Sequence, residues 1–210
     1  RVANADAHFA KLDEFHALAR AGKLPQFSYL QPEWTIAHAA TGGGFGTTHG
    51  IKSVLFHQGR DYHPPGNLDA GENLIKDIYA SLIANRAAWE KTLFVITFDE
   101  PVGSFDHVPP PAAIPPWGDG PSPVKREYNF DFRRYGGRVP AILVSPWIEK
   151  GTVFRSKSDV PFDHTSLIAT ILKWRGLEGR IPEFGYRTAK APTFEDVPAL
   201  KTARRDEKAV

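Results

Sequence analysis

Asp99 and Glu100 stand side by side directly after the run Leu93-Phe94-Val95-Ile96-Thr97-Phe98, which reads as a strand buried on both faces. Ligands in open α/β sheets bind beyond the carboxyl ends of the strands, where loops diverge from a rigid support. Adjacent carboxylates at such an edge repel each other and are costly to desolvate unless a cation compensates. A hard divalent ion does so: oxygen donors suit magnesium, calcium or manganese, and zinc also accepts carboxylate. The plainer alternative is a solvated loop pair, or one carboxylate capping a turn.

Histidine placement adds to the carboxylates. His63 lies in Asp61-Tyr62-His63-Pro64-Pro65-Gly66, His107 in Phe105-Asp106-His107-Val108, and His164 in Phe162-Asp163-His164-Thr165. Near neutral pH an imidazole can stabilise charge on a phosphoryl group or protonate a leaving oxygen. His63 leads, because the flanking prolines fix its backbone. Each histidine also has an ordinary reading as a hydrogen-bonded surface or core residue, and an Asp-His pair before a helix can be a cap and its neighbour. The glycines of Thr41 to Gly46 could cradle phosphate only if a strand fed them and a helix followed. No helical period follows, so Trp34 to His49 reads as loop.

Elements that would hold these residues follow from periodicity. Phe9, Leu12, Phe15 and Leu18 predict a helix over Ala7 to Ala19, ended by Gly22. Gln26 to Leu30 and Ile51 to Phe56 read as strands. Leu74, Ile75, Ile78, Leu82 and Ile83 place one long amphipathic helix across Leu68 to Trp89. Val108 to Pro123 is dense in proline and reads as an irregular excursion. Val139 to Val144 is a second buried strand. Asp163 or Thr165 caps a helix through Leu167 to Leu172 that Gly176 closes. Alternation of helix and buried strand gives an α/β class with a mostly parallel sheet. Residues 1–200 form one domain portion, and the charged 201–210 reads as a frayed tail.

Composition narrows the field. Lys and Arg number 26 against 24 Asp and Glu, and no cationic stretch interleaves with aromatics, which excludes a nucleic-acid footprint. No apolar run is long enough for a transmembrane segment. The absence of cysteine removes disulfides and thiolate chemistry. A chain that starts at Arg1 and holds no methionine reads as processed or as part of a longer protein, with any export signal upstream.

The stretch DYHPPGNLDAGENLIKDIYASLIANRAAWEKTLFVITFDEPVGSFDHVPPP closely resembles the bacterial phosphoesterase family of non-haemolytic phospholipases C and acid phosphatases. GGRVPAILVSPWIEKGTV, PFDHTSLIATILKW and RTAKAPTFEDV continue the likeness over nearly the whole chain. The resemblance implies the C-terminal half of an alkaline-phosphatase-like α/β/α sandwich. Asp99 and Glu100 would bind one divalent metal ion (Ca, Mg, Mn or Zn), with His63 and His107 catalytic and Asp106 and His164 at the substrate. It implies phosphate-ester substrates, phospholipid or phosphomonoester, and a secreted or periplasmic protein. Family members carry a further stretch on the order of 200 residues in front, with a Glu-Asn metal motif and a Ser or Thr nucleophile. Here Glu72-Asn73 falls within the long helix, so that half, or another copy of the chain, is expected to cover the sheet's apolar border. Pro101-Val102-Gly103 replaces the family's His-Gly-Gly after the carboxylate pair. Two rivals stand beside hydrolysis: a non-catalytic binding module, and sulfatase or phosphonate chemistry on the same fold.

Overall fold

Two compact units make up the computed structural model, one Arg1–Thr92 with Arg205–Val210, the other Leu93–Arg204; residues 3–39, 54–101, 106–125 and 127–207 are described. In the first unit, helix α1 (Leu12–Ala21) buries Phe15 and Ala19, four residues apart on one face. Gly22 ends it in the left-handed region (φ 66°), with its N–H on Ala19 O. Helix α2 (Asp69–Ile83) buries Leu74, Ile78 and Leu82 at the same spacing, and α1 and α2 pack on each other. Between them Ser81 donates to Asp77 O, so the 2.8 Å contact with His16 Nδ1 requires the imidazole N–H to donate.

The expected single helix from Leu68 to Trp89 is interrupted. Asn85 takes an extended conformation and its side chain caps a separate short helix α3 (Arg86–Trp89) by accepting from Ala88 N. Asn85 Nδ2 also donates to Arg20 O, which ties the break to the end of α1. Strands β1 (Ile36–Ala39) and β2 (Val54–His57) pair antiparallel, Ile36 opposite His57. β1 lies in the segment expected to be loop, and the glycine-rich 41–46, with 51–53 of the second expected strand, falls outside the described residues. Gln26 to Leu30 forms no strand; Phe27 and Tyr29 are 55% and 76% exposed, and a strand without a partner has no ladder to hold it. The helix expected from Ala7 starts five residues later, after a 3-10 turn at Ala5–Ala7.

In the second unit, strands β3 (Phe94–Thr97) and β4 (Ala141–Val144) lie within the two buried-strand segments, but they pair antiparallel, Phe94 opposite Val144 and Thr97 opposite Ala141. This corrects the mostly parallel sheet: among the described residues both sheets are two-stranded and antiparallel. An apolar run reports expected burial, and burial carries no strand direction. Ile142 remains 51% exposed, so the pair is not covered on both faces as its composition anticipates. Helix α4 (His164–Trp174) begins at the Asp163 cap. It buries Ser166, Ala169 and Thr170 and packs against α5 (Tyr186–Lys190). Phe154, Phe162 and Phe194 meet at ring separations of 5.4–6.3 Å in edge or tilted arrangements beside it.

The chain end is not wholly frayed. Glu207 accepts from Trp89 Nε1 (3.0 Å) and Arg86 Nη1 (2.7 Å) in the first unit. Desolvation raises the Glu207 carboxyl, but its backbone hydrogen bond and those from Trp89 and Arg86 outweigh that and leave it lowered.

Candidate functional site

Strand β3 delivers the carboxylate pair. Both Asp99 and Glu100 are exposed at its end, Glu100 N–H donates to Asp99 Oδ1 (3.1 Å), and among the described residues no cationic side chain pairs with either. Two oxygen-donor side chains at one strand end, without a basic partner, fit a divalent cation chemically. Among the described residues no group of three or more potential metal-binding His, Cys, Asp or Glu side chains forms.

His164 is brought to the same place. It is the first residue of α4, and its Nε2 lies 2.7 Å from the carbonyl oxygen of Phe98, immediately before Asp99. A carbonyl can only accept, so Nε2 carries the proton and Nδ1 is left for other partners. Asp163 is occupied by its helix: it accepts from Thr165 N, Ser166 N and Thr165 Oγ1, while its own N–H donates to Ser166 Oγ in a reciprocal capping box.

Asp106 has a partner that the motif did not announce. Arg138, just ahead of β4, donates from Nε to Oδ2 (2.9 Å), from Nη2 to Oδ1 (2.7 Å) and from its backbone N–H to Oδ2 (3.3 Å). Val108 N–H adds a bond to Oδ1 (3.0 Å). The Arg138 guanidinium holds the Asp106 carboxyl well below the usual carboxylate range. Its oxygens are thus committed to shaping the loop, and His107, whose side chain is 79% exposed, stands beside it with Nδ1 3.8 Å from Oδ1. The arginine in Gly-Gly-Arg-Val-Pro was the available signal, but nothing in the sequence joins it to an aspartate 32 residues earlier. Residues 102–105, which hold part of the Pro101-Val102-Gly103 departure, lie outside the described residues.

His63 belongs to the first unit, in a loop fixed on both sides. Asp61 accepts from Thr35 N (2.8 Å) and Thr35 Oγ1 (2.5 Å), and the same Oγ1 accepts from Gly59 N (3.0 Å). Desolvation pushes the Asp61 carboxyl up, yet the Thr35 and His63 interactions bring it below its ordinary value. Only glycine fits at 59, because a Cβ there would lie 2.3 Å from Thr35 N. Tyr62 lies over Gly71 of α2, where a Cβ would come within 2.6 Å of its ring, and its hydroxyl donates to Glu72. Burial and then Glu72 push the Tyr62 hydroxyl up to about 12. Glu72 therefore anchors this loop. Exposed His63 donates from Nδ1 to Pro64 O (2.5 Å), which leaves Nε2 as the ring nitrogen outside that bond.

Residues 1–178 match the Phosphoesterase family. The chain is similar to non-specific phospholipase C6 of Arabidopsis thaliana, 36% identical over 92% of this chain and 34% of that protein. Non-specific phospholipase C5 of the same plant is 32% identical over the same shares. Non-hemolytic phospholipase C of Burkholderia pseudomallei is 32% identical over 60% of this chain and 19% of its own length. The chain spans about a third of the length of the plant relatives.

Proposed function

The chain belongs to the phosphoesterase family, and on that premise we propose that it supplies part of a phospholipase C or acid phosphatase type site that hydrolyses phosphate esters. The observation that carries the reading is the exposed Asp99-Glu100 pair at the end of β3, its strand end held by His164 through the Phe98 carbonyl. In this reading Asp99 and Glu100 hold one divalent cation, with Ca, Mg, Mn and Zn all compatible with their oxygens. When bound, the cation offsets charge on the transferring phosphoryl group and lowers the pKa of the attacking hydroxyl. His63 presents Nε2 to the phosphoryl or leaving oxygen. His107 stands next to an Asp106 immobilised by Arg138 and serves as a second imidazole, and His164 keeps its remaining nitrogen for the substrate side. The Ser or Thr nucleophile is assigned to sequence outside this chain, which the shorter span relative to the plant phospholipases supports. The full protein is expected to adopt the alkaline-phosphatase-like sandwich, to cover the edges of β3 and β4 with its N-terminal half or another copy, and to act in the secreted or periplasmic space. Among the described residues no helix is long and apolar enough to cross a membrane.

The test is Asp99→Asn in the full-length protein, with hydrolysis of a soluble phosphate ester and bound metal measured on the same samples. Loss of the second carboxylate's partner should lower both together. Undiminished turnover with unchanged metal content sinks the assignment. Absence of turnover in the unaltered full-length protein would favour the binding-module reading.

A further inference from the structure

Arg138 lies three residues ahead of β4, whose Ala141 pairs with Thr97 of β3, two residues before Asp99. Residues 137–140 run beside the end of β3 and the residue that follows its carboxylates. Pro140 O accepts from Thr97 Oγ1 (3.1 Å), and a Cβ at Gly137 would stand 3.2 Å from Pro101 Cγ, directly after the Asp99-Glu100 pair. From the same short segment Arg138 grips Asp106. The turn that carries His107 and the strand end that carries the pair therefore share one backing.

Asp106 does not orient the neighbouring imidazole by bonding to it. Its Oδ1 accepts from Arg138 Nη2 and Val108 N–H, and its Oδ2 from Arg138 Nε and backbone N–H. His107 Nδ1 stays 3.8 Å from Oδ1, beyond a hydrogen bond. The carboxylate instead closes a turn: it belongs to residue 106 and accepts from the N–H of residue 108, so it brackets His107. The imidazole, 79% exposed, makes no hydrogen bond among the described residues, so its placement follows the backbone beneath it. Arg138 fixes that bracket with a planar fork on both oxygens. Its own side chain is 57% exposed, and an ion pair so open to water contributes little to stability; its consequence is geometric.

We propose that Arg138 is a positioning residue for phosphate-ester hydrolysis: through Asp106 it ties the turn bearing His107 to the strand pair whose end bears Asp99 and Glu100. The role of His107 itself rests on the hydrolytic reading above.

The test uses the full-length protein with p-nitrophenyl phosphate and bis(p-nitrophenyl) phosphate, a monoester and a diester. kcat, KM, bound metal and the urea midpoint are read on the same samples. Arg138→Gln should lower kcat on the order of tenfold to a hundredfold on whichever ester is turned over, with KM within about twofold and metal content unchanged. Arg138→Lys keeps the charge without the fork and should recover only part of the loss. In a His107→Ala background, Arg138→Gln should cost less than about a further twofold, because the group it positions is already gone. A merely structural arginine would give the same factor in both backgrounds. Arg180→Gln, which breaks the exposed Arg180–Glu183 pair elsewhere in the unit, should change neither kcat nor KM. Undiminished turnover in Arg138→Gln or Arg138→Lys, an equal loss with and without His107, or a parallel loss of metal overturns the proposal. So does an Arg138→Gln defect beside a fully active His107→Ala. Where Arg138→Gln does not fold, the same cycle is run with Arg138→Lys. An unaltered protein that hydrolyses neither ester removes the hydrolytic reading and this role together, whereas the variant outcomes leave the Asp99→Asn result standing.

Discussion

Replacing Thr35 by valine keeps the shape of the side chain and removes one hydroxyl on which the His63 loop depends. That hydroxyl donates to Asp61 Oδ1 and accepts from the N–H of buried Gly59. A hydrogen bond to a carboxylate contributes about 1.5–3 kcal/mol, and a buried N–H left without a partner costs about 1–3 kcal/mol. Both effects pass through one oxygen and Asp61 retains the bond from Thr35 N, so they do not add fully; we expect Thr35→Val to lose about 2–3 kcal/mol near neutral pH. Thr35→Ser should recover most of it. The loss has a pH signature with a definite sign. The folded Asp61 carboxyl lies below its ordinary value, so its contribution is complete above the unfolded pKa of about 3.9 and disappears as pH falls from there through the lowered folded value. Urea unfolding of both proteins from pH 7 down to the acid limb should therefore show the gap narrowing below about pH 4. A gap under about 0.5 kcal/mol at pH 7, or one that does not change with pH, would refute the view that this hydroxyl holds the loop.

Three further outcomes follow from the same kind of reasoning. Asp163→Ala removes the α4 capping box and should cost about 1–2 kcal/mol in urea unfolding, with Asp163→Asn restoring most of it. Arg138→Lys keeps a positive charge but loses the two-pronged grip, so the Asp106 carboxyl should titrate closer to its ordinary range, as followed by carboxyl carbon NMR. Trp89→Phe leaves Glu207 Oε1 without its indole donor; the variant should be about 1–2 kcal/mol less stable at pH 7, with the difference shrinking as pH falls through the lowered Glu207 value.

What was legible in the sequence was local. The Asp163 cap and the Gly176 stop of α4 fell where expected, because both depend on residues within a turn of the helix end. The apolar runs around β3 and β4 were located, since burial leaves its mark on composition, but their direction was not, since nothing within one strand encodes the path of its neighbour. Helix α2 looked longer than it is because its apolar spacing runs straight through Asn85, and the break shows only when that side chain is seen capping α3 and reaching back to Arg20.

The candidate site divides along the same line. Motif order pointed to His63, Asp99, Glu100, Asp106, His107 and His164 as the residues with chemistry, but the groups that fix them come from far along the chain. Thr35 is 26 residues from Asp61, Arg138 is 32 from Asp106, and His164 is 66 from the Phe98 carbonyl. Each of these bonds joins a polar group to a partner whose type is common, so no spacing rule could have selected it. Their consequence is chemical. Asp106 is held on both oxygens by Arg138 and Asp163 gives Oδ1 to its helix cap, whereas the exposed pair at the end of β3 has no cationic partner among the described residues. The two histidines differ by the nitrogen already committed, Nε2 in His164 and Nδ1 in His63. Substituting glutamine at the first should preserve a donor to the Phe98 carbonyl, while at the second, on the proposed role of His63, it should not replace the imidazole Nε2.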